Sequence, residues 1–460
     1  MLRLPLSPGS AFIAVAIATL GGCASYDPDP LAPLRLLDEL DRVRLDAPRE
    51  GIALVGSATR FDPTNGLTDL EAASLAIHLN PSLRALRAEI GVARAQLVEA
   101  GLLPDPVIGW DAMNVVADFT TERKSSSNSY VAGASLIWEV PRPDEIDARE
   151  AVAHGQLSQA RAILVRAEWE LVRDVRLAYL RLAAAQAGVD LASEQAEIAN
   201  GTVDYFERAR RAGAATALQE RLATVARDRV LADRVRLALD EIEARNELLM
   251  LAGLPPETPL ILEDVRAVLD APFLLPERAD ALVRVAVERR PDVLEVAAAY
   301  EQAEGRLRLE VARQWPQLWI GTGISISLPF LTRFNAWGVE RATRERDAAR
   351  DRFVATLHAT RREVHQGVEE ISRAAEQVAL FREQLMPGLQ ETLRLTRAAL
   401  EAGEITPIEI LAAQGQVIGV QFEFLTARER LARARVVLDA ASARLLPPPA
   451  VEVTEEEDQE

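Results

Sequence analysis

The chain has 460 residues and a net charge of −18, and it carries no basic stripe, which argues against nucleic acid as a partner. It is rich in Ala, Leu, Arg and Glu, as long-helix proteins are, so its length does not translate into several ordinary domains. Its single cysteine, Cys23, excludes an intrachain disulfide.

Residues 1–22 read as a secretory signal. Arg3 supplies the positive flank and Ala11 to Leu20 the apolar run, which is too short to span as a helix. Leu20-Gly21-Gly22 before Cys23 resembles the lipobox of bacterial lipoproteins. By that resemblance, Cys23 carries a covalent lipid, and the absence of Asp after it points to the outer membrane. Residues 23–66 carry prolines and little periodicity, and read as an extended, lipid-anchored lead. Thr68 and Glu71 form a capping-box pattern for a short helix ending near Leu79. Pro81 opens a helix to about Leu103, ended by Pro104 and Pro106. A β-hairpin is expected over 107–140. In its second strand Tyr130, Ala132, Ala134, Leu136, Trp138 and Val140 alternate onto one face. That face is apolar with an aromatic near each end; Trp110 is the aromatic of the first strand. The span suits the apolar band of a small membrane β-barrel, although an ordinary sandwich strand has the same pattern.

From Pro141 to Gly213 the apolar residues fall at spacings of three and four, from Leu157 through Leu171, Val175 and Leu182 to Phe206. This is a coiled-coil seam with one stutter, at Leu171 to Val175. A helix of about 70 residues is on the order of 100 Å long. Gly213 ends it and Thr216 caps the next helix, which Gly253-Leu254-Pro255-Pro256 stops. Residues 255–277 form a proline-containing connector.

The chain then repeats itself. Pro81 to Pro106 and Pro291 to Pro316 both span 25 positions; Pro141 to Gly213 spans 72 and Pro329 to Gly403 spans 74. The turns also match, Gly213 with Thr216 and Gly403 with Thr406. The expected fold is mostly α: long antiparallel helical hairpins in two tandem structural repeats, 67–254 and 278–446, plus a small β-barrel contribution. Pro447-Pro448-Pro449 ends the last helix, and 447–460 reads as an acidic disordered tail. Four long helices cannot bury all their apolar surface within one chain, so oligomers are expected.

These features together resemble the TolC family of outer membrane factors. The resemblance rests on Cys23, the Asn80-Pro81 and Arg290-Pro291 helix starts, the proline-bounded hairpins and the two glycine turns. The stretch Leu328-Pro329-Phe330-Leu331-Thr332-Arg333-Phe334-Asn335 is similar to the strand-to-helix junction of heavy-metal efflux members of the cobalt–zinc–cadmium type. The resemblance implies a homotrimer in which each subunit gives four strands to one barrel in the outer membrane, with a helical tunnel through the periplasm. It also implies that the tip turns (Arg211, Gly213 and Thr216; Glu401, Gly403, Glu404 and Thr406) face a periplasmic adaptor and an inner-membrane pump. Arg210 and Arg211 beside one turn and Glu401 and Glu404 beside the other either help hold the tunnel closed or are solvated helix-end charges.

The second hairpin departs from this pattern. Pro106 to Pro141 spans 35 positions, but Pro316 to Pro329 only 13. A barrel crossing takes about 9–11 residues, so the segment is too short for two. A turn at Gly321-Thr322-Gly323 between two short strands, over 317–328, keeps both flanking helices on one side of the membrane. No enzyme motif stands out: there is no nucleophile elbow or complete phosphate loop, and His358 and His365 read as a solvated helix face without a third metal ligand. The sequence therefore reads as the passive exit duct of a tripartite efflux system, without a cofactor other than the lipid on Cys23. A non-conducting lipid-anchored periplasmic scaffold is the second reading, favoured by the short hairpin.

Overall fold

The computed structural model describes residues 26–42, 66–114, 131–263, 265–270, 278–321, 323–401 and 407–445. Cys23, Tyr130, Gly403, Glu404, Thr406 and the acidic tail lie outside them. The chain divides into two units, residues 1–44 and 45–460. In the first, Pro33 opens a short helix, α1 (Pro33–Asp41). The lead is therefore not extended throughout, because Leu34, Leu37 and Leu40 follow helical spacing after a proline suited to a first turn.

The second unit holds the rest. Its first half comprises α2 (Asp69–Leu79), α3 (Pro81–Ala100), β1 (Val107–Asn114), β2 (Val131–Val140), α4 (Glu145–Arg211) and α5 (Ala217–Ala252). Then come α6 (Val265–Leu269) in the connector, α7 (Ala279–Arg289), α8 (Pro291–Ala312), β3 (Gln317–Gly321) and β4 (Ile324–Ser327). The chain continues through α9 (Ala336–Leu380), a π-helical turn (Phe381–Leu385), α10 (Met386–Glu401) and α11 (Pro407–Ala441).

The local rules act as the residues suggest. Thr68 accepts the Glu71 N–H while Glu71 bonds back to the Thr68 N–H, a complete capping box. Thr216 does the same with Gln219 at the start of α5. Gly213 takes φ +76°, a left-handed conformation that glycine enters without a Cβ clash. Residues 255–263 return beside the start of the first half, where Leu67 and Leu262 form a bridge.

Helix α4 is continuous over 67 residues, and every position of its expected seam is buried or half-buried. It packs against α5, α8, α3, α2 and α11. Around Leu171–Ala184 burial spreads beyond one stripe to Val172, Tyr179, Leu180 and Ala183. Here α2, α6 and α11 cover the remaining sides, and the Tyr179 hydroxyl donates to the Leu67 carbonyl at 2.8 Å.

The two repeats correspond down to a single contact. The residue before each helix-opening proline reaches the end of the medium helix of its own half. Asn80 Nδ2 donates to the Leu251 carbonyl at 3.2 Å, and Arg290 Nη1 to that of Ala441 at 3.3 Å.

The second long helix differs from the first. It starts seven residues after Pro329, at Ala336, and it is interrupted by the π-turn. Pro387 lies just beyond, and its missing N–H leaves the Glu383 carbonyl without its usual helical donor. The turn is held from the side. Phe381 is buried and stacks on Phe424 of α11 with ring centres 5.7 Å apart. Asp270 accepts from both Arg382 and Arg428, at 3.4 and 2.5 Å.

The strands form one antiparallel sheet in the order β1-β2-β3-β4. As the short segment requires, the second hairpin turns at Gly321–Gly323, where the Gly321 N–H donates to the Gly323 carbonyl. It pairs with β2 only over Ile137–Val140, the end nearest α4. Strands of five and four residues rise about 13–17 Å before tilt, roughly half of the apolar thickness of a bilayer.

Candidate functional site

Residues directly opposite in an antiparallel ladder share a face of the sheet. The register therefore assigns the two faces. Ile108 opposes Leu136, Trp138 opposes Ile320, Ile320 opposes Ile324, and Val140, Leu318 and Ile326 align across three strands. Leu136, Trp138 and Val140 alternate along β2, so all of these lie on one face. That face is apolar across all four strands, and Ile108, Leu136, Ile320, Ile324 and Ile326 are exposed on it. The opposite face carries Glu139, Gln317, Ser325 and Ser327, together with Val107, Ile137 and Trp319. A sheet with one apolar exposed face and one largely polar face suits a wall between lipid and water. Trp110 sits opposite Ala134 in the register. Trp138 is half-buried and its indole N–H donates to the Pro104 carbonyl at 2.9 Å, which fixes it at the helix-side rim.

That rim contains two buried carboxylates that the sequence reading missed. Glu145, in the first turn of α4, accepts from the Arg142 N–H at 3.0 Å, from Arg142 Nη1 at 3.3 Å and from Arg149 Nη2 at 2.6 Å. Glu310, near the end of α8, accepts from Arg313 at 2.7 Å, Arg341 at 3.4 Å and Asn335 Nδ2 at 2.7 Å. Arg142 Nε also reaches the Trp315 carbonyl and so ties the two halves together. The only sequence signal was Glu with Arg three or four residues away, which on most helices marks a solvated pair.

Burial alone would push the Glu145 pKa up. The Arg142 backbone N–H and the Arg149 and Arg142 guanidiniums outweigh it and hold the carboxyl below the usual glutamate value. A depressed folded pKa gives stability that is present above the unfolded value, about 4.3, and lost as pH falls through the folded one. Glu145→Gln is therefore expected to lower stability at neutral pH by about 1.5 kcal/mol. It is also expected to flatten the loss of melting temperature on acidification below about pH 4. Melting curves of both proteins across that range check this; parallel acid profiles would contradict it.

At the far end of α4, the tip charges are paired within the first helical hairpin. Arg210 bonds Glu220 of α5, and Arg211 bonds Glu207 one turn back at 3.3 Å. Within the chain, then, these arginines meet acids of their own hairpin. Glu401 is the last residue of α10. His358 is exposed, as a solvated face requires. His365 is half-buried instead, and its Nε2 has no hydrogen-bond partner among the described residues. Among the described residues no group of His, Cys, Asp and Glu is placed to hold a metal ion, and no helix is long and apolar enough to cross a membrane.

A family model described as outer membrane efflux protein matches residues 72–254 and 282–444. The fold is also that of several solved structures. The open state of the MtrE outer membrane channel of Neisseria gonorrhoeae aligns with a TM-score of 0.67 at 17% identity, over 88% of this chain and 98% of that one. The outer membrane protein VceC of Vibrio cholerae aligns with a TM-score of 0.66 at 18% identity, over 81% and 95%. CusC, solved in a study of transmembrane channel formation, aligns with a TM-score of 0.66 at 15% identity, over 87% and 98%. No curated protein matches in sequence.

Proposed function

Since the chain belongs to the outer membrane efflux protein family, we propose that three copies close into the exit duct of a tripartite efflux system. The observation that carries this reading is the open sheet. Among the described residues its edges, β1 and β4, are unpaired, and they differ from each other. An exposed edge in lipid is costly, and two unlike edges join head to tail around a ring. The helices support the same closure. Helix α5 exposes Leu218, Leu222, Val225, Val235, Leu239 and Ile242 along one side, an apolar stripe without a partner among the described residues.

The duct is passive, with energy supplied by an inner-membrane pump through a periplasmic adaptor at the hairpin tips. A lipid on Cys23 adds an anchor in the outer membrane. The cargo we propose is metal cations or drugs; the likeness of Leu328–Asn335 to heavy-metal members favours metal cations, as does an acidic balance that the C-terminal tail inflates. Native mass spectrometry of the detergent-solubilised protein tests the assembly. It is expected to give three copies, each with the added mass of the lipid; monomers at every protein-to-detergent ratio would contradict the ring. The half-height second hairpin favours the alternative, a lipid-anchored periplasmic scaffold that does not conduct.

A further inference from the structure

The loop between β4 and α9, with the first turn of α9, has a surface that the duct alone does not explain. Leu328, Phe330, Leu331, Phe334 and Trp337 are all exposed, Leu331 at 86% and Trp337 at 72%. These side chains do not sit on a floppy loop. Arg333, Phe334 and Asn335 take φ of +51°, +53° and +57°, three consecutive left-handed residues that L side chains enter only where the surroundings hold them. The Phe334 N–H donates to the Pro329 carbonyl at 2.8 Å, and Thr332 Oγ1 to the same carbonyl at 2.9 Å. Asn335 Nδ2 anchors the far end on the Glu310 carbonyl at 2.9 Å and its carboxylate at 2.7 Å.

We propose that this loop is a foot that enters the periplasmic leaflet of the outer membrane, with Arg333 placed for the phosphates of its phospholipids. The inference rests on reading the apolar sheet face as the lipid face. Three observations choose lipid as the occupant. First, Ile324 and Ile326 lie on the apolar face of β4, Leu328 continues their alternation to the start of the loop, and the exposed Phe330 and Leu331 follow directly. Second, the hairpin it follows rises only about half of a bilayer, so this side of the subunit has little other surface in the apolar layer. Third, tryptophan and arginine together are the chemistry of the interface, and Arg333 is exposed with no acidic partner among the described residues.

The test uses the intact protein in vesicles of phosphatidylethanolamine and phosphatidylglycerol, beside its Trp337→Phe variant. The emission lost on substitution reports Trp337 alone. It is expected to be quenched by lipids brominated near the headgroup end of their chains and shielded from aqueous iodide. Quenching by iodide instead, or by neither, would overturn the proposal; the second result would place a neighbouring copy over the loop. Assembly is measured on the same samples. A ring without lipid quenching sinks the foot alone, whereas failure to form a ring sinks the duct and the foot with it.

Discussion

Gly155→Val is expected to destabilise the protein by about 3 kcal/mol, the upper end for overpacking a close contact, and to lower its yield of assembled rings. Helices α4 and α8 approach backbone to backbone at this point. A Cβ on Gly155 would lie 2.7 Å from the Gln302 Cα, and one on Gly305 3.0 Å from the Val152 nitrogen. Neither neighbour is a flexible side-chain end, so the helices themselves must part. Both glycines lie within about four turns of the sheet, and a shift there is passed directly to the strands. The contrast lies in the same helix. A Cβ on Gly201 would meet nothing within 4 Å, and replacing glycine by alanine in an open helical position gains up to about 1 kcal/mol. Gly201→Ala is therefore expected to melt at the parent temperature or above it. Thermal melting followed by helical circular dichroism compares the two; equal losses would show that helix packing at Gly155 is not what matters.

Arg290→Ala is the second large effect. The Arg290 side chain is 11% exposed and makes 2.7 and 2.8 Å ion pairs with Asp292 and Glu363 besides its bond to the Ala441 carbonyl. It thus joins the α7–α8 turn to the long helix α9 and to the end of α11. Removing one partner of a buried pair leaves the others unsatisfied, at about 3–5 kcal/mol. Asp292 and Glu363 keep access to water, so screening reduces this to about 2 kcal/mol. Its repeat counterpart, Asn80, carries no charge and makes one bond to Leu251 and one to the Ser82 N–H. Asn80→Ala is expected to cost about 1 kcal/mol. Melting temperatures that fall equally for the two variants would contradict the charge argument.

The parts of this fold that depend on near neighbours in sequence were legible. The α4 seam, the capping box at Thr68, the cap at Thr216 and the proline-opened helices follow from local residue patterns, although the return bond from Gln219 that completes the box at Thr216 was not read. The repeat was legible because the same punctuation recurs at the same intervals, and the turn at Gly321–Gly323 because only that turn returns so short a segment. What stayed hidden depends on distant partners. Burial all round α4 at Tyr179 needs α2, α6 and α11 in place. The role of Glu310 needs Asn335 and Arg341 brought in by a left-handed loop. The matching lengths of the two long segments concealed the π-turn and Pro387, because counting from proline to glycine is blind to what lies between. Of the candidate residues at the tips, Arg211 and Thr216 have defined partners. The apolar face of the sheet was half legible: the alternation in β2 was clear, but its continuation across β3 and β4 is a matter of register, which sequence alone does not set.

The central claim is that a sheet with a half-height second hairpin still closes a conducting barrel. Single-channel recording from the purified assembly in a planar bilayer tests it directly. The account predicts discrete, reproducible current steps once three-copy rings insert. Rings that insert and carry no current would contradict it and leave the scaffold reading in its place.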